Sequence, residues 1–243
     1  MGRRPTRYRP KMPVTYALDG SVAVITVDDG KANAYSHEVL AELHEALDRA
    51  EREARAVLLV GREGRFSAGF DLKVMTSGDE PMRGLVCAGA RLLARVFVFP
   101  RPVVAACTGH ALAAGALMLL VTDHRVAAEG PFKIGLNEVS IGMPLPQFGV
   151  DLARYRMPPS QLELALLGQV VDPITAIRAG YVDEVVPPEA VVDSAARIAQ
   201  RLSELRSDAV ARTKLAARGA IARSIVETVD ADMAAISGPA PTG

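Results

Sequence analysis

The sequence predicts an α/β fold. Three observations carry that expectation: short β-branched and aliphatic runs that read as buried strands, amphipathic stretches of helical periodicity between them, and small-residue turns where one hands over to the other.

Val22 to Val27 reads VAVITV and predicts a strand, because β-branched side chains suit a pleated surface. Asp28-Asp29-Gly30 supplies a turn. Ser36 then caps a helix running to about Ala54, with Val39, Leu40, Leu43, Leu47 and Ala50 on one face. Ala56 to Val60 is continuously apolar, as a strand buried on both faces is. Gly61 to Phe66 reads as a loop leading into Ser67-Ala68-Gly69-Phe70-Asp71-Leu72. A helix is expected from Met82 to Phe97, ending near Pro100, and a buried strand from Pro102 to Cys107. That strand feeds Thr108-Gly109-His110 and an Ala/Gly-rich helix from about Ala111 to Val121. Arg125 to Ala128, Phe132 to Ile134 and Val182 to Val186 read as short strands. From about Pro188 the chain is mostly helical, and Gly238 to Gly243 is a loose tail.

Composition excludes several classes. In 243 residues, 28 Lys and Arg balance 28 Asp and Glu, so net charge points to neither nucleic acid nor a membrane surface. No apolar run is long enough to span a bilayer; Leu112 to Val121 is too short. Cys87 and Cys107 lie in apolar surroundings and read as reduced, buried thiols. No His/Cys/Asp set has metal-ligand spacing. With no targeting segment in view, the expected location is cytoplasmic. Residues 1–12 hold Arg3, Arg4, Arg7, Arg9 and Lys11 and read as a disordered basic extension.

Two segments share one design: a buried strand, a small-residue turn and a helix start. They are Phe66-Ser67-Ala68-Gly69-Phe70-Asp71-Leu72 and Thr108-Gly109-His110-Ala111-Leu112-Ala113-Ala114-Gly115. Small residues let backbone approach a ligand, and helix N-termini offer unpaired N–H groups. Two N–H groups aimed at one point make an oxyanion hole. Taken singly, each turn is weak evidence, since small residues in helix turns more often serve close packing. Neither is a phosphate loop or a dinucleotide fingerprint.

Taken in order, five segments resemble the enoyl-CoA hydratase/isomerase (crotonase) family: Phe66 to Leu72, Pro102 to Ala111, Asp123 to Ala128, Ile134 to Gly142, and Ala176 to Val186 with Ala179-Gly180-Tyr181-Val182-Asp183. The resemblance spans roughly residues 20 to 220. It implies a crotonase-like spiral of β-β-α units over residues 13–187 and C-terminal helices over 188–243 that mediate trimers, often paired into hexamers. It also implies an acyl-CoA or enoyl-CoA thioester as substrate, with coenzyme A arriving as part of that substrate and no separate cofactor. By family position, the backbone N–H groups of Phe70 and Ala114 are the oxyanion donors. Ala68, Asp71 and Leu72 fall where the adenine is received, and Lys31 falls where a basic residue meets the CoA phosphates. Lys73 and Lys214 are weaker candidates for the phosphates. The family usually has glycine where Ala114 stands, but a backbone donor needs only a negative φ there.

The chemistry turns on one carboxylate. Hydratases of the family resemble one another in two glutamates that hold a water; Leu117 stands at the first position and Glu138 at the second. Leucine neither binds water nor transfers a proton. The pattern is similar to the Δ3,Δ2-enoyl-CoA isomerases, where one glutamate takes a proton from C2 and returns it at C4. The alternatives are a weak or specialised hydratase of fatty-acid metabolism and a non-catalytic acyl-CoA binder. His110 reads as packed or capping, Asp71 as a helix cap, and Asp123, His124 and Arg125 as a structural polar cluster. Pro144-Leu145-Pro146 with Phe148 reads either as a wall of the acyl pocket or as a plain rigid loop.

Overall fold

The computed structural model describes residues 12–236. The basic residues Arg3 to Lys11 and the tail Gly238 to Gly243 lie outside the described residues.

Strands β1 (Val14–Asp19) and β2 (Val22–Val27) form an antiparallel hairpin, and β3 (Ala34–Tyr35) follows. Helix α1 (His37–Glu53) begins as its sequence predicts, with Ser36 Oγ accepting the Val39 N–H at 3.2 Å. Next come β4 (Ala56–Val60), β5 (Gly64–Ser67), β6 (Gly69–Phe70), the short helix α2 (Leu72–Met75) and α3 (Asp79–Phe97). The middle of the chain holds β7 (Val103–Cys107), β8 (Gly109–Leu112), α4 (Ala114–Val121), β9 (His124–Ala128) and β10 (Ile134–Gly135). Then come α5 (Gln147–Arg156), α6 (Leu162–Leu166), α7 (Pro173–Ala179), β11 (Glu184–Val186), α8 (Val191–Ser203) and α9 (Ser207–Ala234).

The large sheet runs β1-β2-β4-β7-β9-β11, parallel beyond the first hairpin. Each of β4, β7 and β9 is followed by a strand of a second sheet, ordered β10-β8-β5 and also parallel. The chain thus winds as a spiral of β-β-α turns. Every residue of β4 and β7 is buried, which is why both read as unbroken apolar runs. One face of the sheet, with Ile25, Val57, Leu59, Val103 and Ala105, packs into the main core with α1, α3 and α4. The other face, with Leu58, Val104, Ala106 and Val126, is covered by Val191, Ala195 and Ile198 of α8. Among the described residues no helix is long and apolar enough to cross a membrane.

A largely buried ion-pair cluster ties α9 to this sheet. Asp123 accepts from Val103 N at 2.8 Å and from Lys214 Nζ and Arg218 Nη1 at 2.7 Å each. Arg125 Nε meets Asp183 at 2.8 Å, and His124 Nε2 lies 2.9 Å from Glu184. The expected polar cluster is therefore structural.

Several expectations need correction. The helix expected from Ala111 starts at Ala114, because Ala111 and Leu112 pair in register with Ile134 and Gly135. The expected loop Gly61 to Phe66 contains the start of β5, whose Gly and Arg content hides a strand held by backbone pairing to β8. The strand expected at Phe132 to Ile134 is shifted to Ile134–Gly135, and that at Val182 to Val186 is shortened to Glu184–Val186. Strand β1 went unpredicted; its exposed residues give no apolar alternation.

Candidate active site

The first turn is built by a small polar network around Asn33 and Ser67, both fully buried. Asn33 sits at φ 53° and donates through Nδ2 to Val27 O at 2.7 Å. Ser67 Oγ donates to Asn33 O at 2.7 Å and accepts the Gly69 N–H at 3.1 Å. Strand β6 pairs in parallel with β3, and the Asp71 N–H is bonded to Tyr35 O at 3.1 Å. Successive N–H groups on an extended strand point to opposite sides, so the Phe70 N–H faces away from β3.

The second turn joins β8 to α4 through Ala113, at φ 50° and ψ −122°. Its N–H is fixed by Gly135 O at 3.0 Å. Ala114 is the first helical residue, so its N–H has no carbonyl of its own helix to reach and lies at the positive end of the helix dipole. The only non-glycine residues with positive φ among those described are Asn33 and Ala113, so Ala114 keeps the negative φ a backbone donor needs. The strained position is Ala113, which no residue pattern singles out.

Two glycines hold the turns against each other. A Cβ on Gly69 would lie 2.9 Å from Ala113 Cβ and 3.3 Å from Ala114 N. A Cβ on Gly115 would lie 2.5 Å from Ser67 O. Any side chain at either position forces the turns apart.

The carboxylate is attached to the same framework. Gly135 pairs with Leu112, two residues before Ala114, and Glu138 follows three residues later. Its carbonyl accepts Ile141 N at 3.1 Å and Met143 N at 3.0 Å, closing a single 3-10 turn. The residue as a whole is half-buried, yet its Oε2 is buried without a hydrogen-bond partner, as is Asn137 Oδ1 next to it. Burial raises the Glu138 pKa from 4.5 to about 7, the direction expected of a carboxylate short of donors. A perturbed carboxyl in this position can take or give a proton near neutrality. Leu117, 1% exposed, lies one turn along α4 from Ala114, and a Cβ on Gly149 of α5 would lie 3.8 Å from its Cδ2. No carboxylate occupies that place on α4.

Lys31, Ala68, Leu72 and Lys73 are exposed near this site, Leu72 at 65%. Asp71 caps α2 by accepting Lys73 N at 2.9 Å. The pairing of β3 with β6 brings the Lys31 loop and the α2 segment together. Lys214 is elsewhere: it is 7% exposed and spent on Asp123 and Arg101 O, so burial and that ion pair remove it from phosphate binding. His110 accepts Lys133 N through Nδ1 at 3.0 Å and meets the Phe132 ring edge-on at 5.4 Å, a packed histidine. Cys87 and Cys107 are both buried with their thiol pKa values raised, which keeps them protonated. Two surface cavities, of about 300 and 450 Å³, lie along α9; neither is lined by Phe70, Ala114 or Glu138.

Comparison with known proteins gives a consistent result. The sequence model for enoyl-CoA hydratase/isomerase matches residues 18–239. A probable enoyl-CoA hydratase of Bacillus subtilis is 35% identical over 198 residues, covering 79% of this chain and 76% of that protein. Human mitochondrial enoyl-CoA delta isomerase 1 is 34% identical over 219 residues, covering 87% and 72% respectively. The crystal structure of an enoyl-CoA hydratase/isomerase family protein from Pseudomonas syringae superposes with a TM-score of 0.89 at 38% identity, covering 92% of this chain and 98% of that one.

Proposed function

The chain belongs to the enoyl-CoA hydratase/isomerase family, and on that premise we propose that it shifts a double bond in an enoyl-CoA thioester. Substrate is a 3-enoyl-CoA. Glu138 takes a proton from C2, and the electron pair delocalises into the thioester carbonyl. The N–H groups of Phe70 and Ala114 hold the resulting enolate oxygen. The same carboxyl group, now protonated, gives its proton to C4, leaving the double bond between C2 and C3. No proton is gained or lost overall. Losing one oxyanion donor typically costs about 3 kcal/mol, so the two turns carry much of the barrier reduction.

The observation that carries this reading is the single carboxylate. Glu138 has a partnerless buried oxygen and a pKa near 7, while Leu117 puts a buried aliphatic group where a second acid would be needed to hold water. A 1,3-proton shift needs one base; hydration needs a positioned water. Hydratase activity remains the second reading, favoured by the name of the Bacillus subtilis relative. An acyl-CoA binder without turnover is the third, and a pKa tuned to neutrality counts against it. The CoA moiety of the substrate is assigned to Lys31, Ala68, Asp71, Leu72 and Lys73, and the working form to a homotrimer or hexamer in the cytoplasm.

The test offers purified protein 3-enoyl-CoA and 2-enoyl-CoA separately. Formation of 2-enoyl-CoA from the first, with little hydration of the second, is expected. Efficient hydration of 2-enoyl-CoA without isomerisation would overturn the reading, and binding without either reaction would leave the binder.

A further inference from the structure

Helix α3 carries two interior glycines, and they differ in one respect. Glycine is among the poorest helix formers, so each calls for a reason. At Gly84 a side chain would meet nothing within 4 Å. At Gly89, which is buried, a Cβ would lie 2.2 Å from Cε1 and 2.4 Å from Cζ of Phe70. The Phe70 ring therefore rests on the bare backbone of α3 at Gly89.

Phe70 cannot be treated as a ring alone. It belongs to a strand of two residues, between Gly69 at φ 94° and Asp71, whose N–H is bonded to Tyr35 O. Its ring packs against the main core. The Gly69 N–H is held by Ser67 Oγ and the Asp71 N–H by Tyr35 O, and the ring is the longest lever acting on the peptide between them.

We infer that Gly89 is a positioning residue for the oxyanion hole: the gap it leaves on α3 seats the Phe70 ring, and the seated ring fixes the aim of the Phe70 N–H. This rests on the reading of Phe70 and Ala114 as enolate donors. A methyl group at 89 displaces the ring from its seat and turns the peptide that carries the donor. Misplacing a reacting group by about 1 Å costs about 100-fold in rate, so a partial tilt costs about 10- to 100-fold.

The test uses two readouts. One is isomerisation of 3-enoyl-CoA. The other is the enolate of acetoacetyl-CoA, whose ultraviolet absorbance reports an oxyanion hole without turnover. Gly89→Ala is expected to lower kcat about 10- to 100-fold at nearly unchanged KM, and to lower the bound enolate fraction in parallel. Gly84→Ala, on the same helix, is expected to match the wild type in both. Phe70→Leu removes Cε1 and Cζ, the atoms that would collide, so Gly89→Ala is expected to have little effect in the Phe70→Leu background. That rescue separates seating from general damage to α3, and a thermal melt confirms that each variant is folded. Gly89→Ala at wild-type levels in both readouts would overturn the inference, as would an equal loss with and without the ring. A wild type that forms the enolate yet moves no double bond would overturn the proposed reaction and leave the seat standing. A wild type that forms no enolate would remove the hole and the inference with it.

Discussion

Lowering the pH should switch off turnover well above the range in which an ordinary glutamate titrates. In the proposed reaction Glu138 must be ionised to accept the C2 proton, and burial raises its pKa from 4.5 to about 7. The pH dependence of kcat/KM reports the free enzyme's essential base. With a pKa of about 7, roughly a tenth of the molecules carry the base form at pH 6; with the ordinary 4.5, nearly all would. The same carboxyl also sets a stability window. Its pKa is higher folded than unfolded, so between 4.5 and about 7 the folded state holds the extra proton. Stability contributed by Glu138 is therefore fully present below 4.5 and is lost as pH rises to about 7. At about 1.4 kcal/mol per pH unit, the loss is at most roughly 3 kcal/mol. Glu138→Gln carries no such charge and should be the more stable protein at pH 8 by up to that amount. Initial rates by the absorbance of the conjugated thioester, and urea unfolding of both proteins at pH 5 and pH 8, measure the two effects. A kcat/KM plateau reaching down to pH 5.5, or parallel pH dependence of stability in the two proteins, would rule out a base with a raised pKa at Glu138.

Three further substitutions probe the framework. Gly115→Ala drives a methyl group to 2.5 Å from Ser67 O, which is backbone and cannot swing aside; a loss of about 1–3 kcal/mol by chemical unfolding and a deep loss of turnover are expected. Ala113→Gly relieves an L residue held at φ 50°, and unfolding should show a gain of about 1 kcal/mol. Asp183→Ala leaves the Arg125 side chain, 4% exposed, without its partner; a loss of about 3–5 kcal/mol is expected, again read by unfolding.

Much of the fold was legible because the central strands of its large sheet are buried on both faces. Val22–Val27 and Ala56–Val60 match the apolar runs residue for residue, and Ser36 caps α1 as placed. The small sheet was not legible. β5, β8 and β10 are held by backbone pairing between short segments of two to four residues, too short for any periodicity. The same limit hid Ala113: nothing in a run of alanines says which one takes the left-handed turn. At the site, Glu138 and the two turns were visible as types in an order, but Asn33 was not. An asparagine beside Gly30 and Lys31 reads as loop, and only its contacts to Val27 and Ser67 reveal that it holds the first turn. Lys214 failed for the opposite reason, since its partner Asp123 lies 91 positions away in sequence.

In the proposed reaction one carboxyl group moves the proton. Its most direct test is the turnover of 3-enoyl-CoA by Glu138→Gln, with thioester affinity measured alongside. A fall in kcat of at least about 100-fold with affinity retained is expected, as removal of a general base gives. Turnover within a fewfold of the wild type would contradict it.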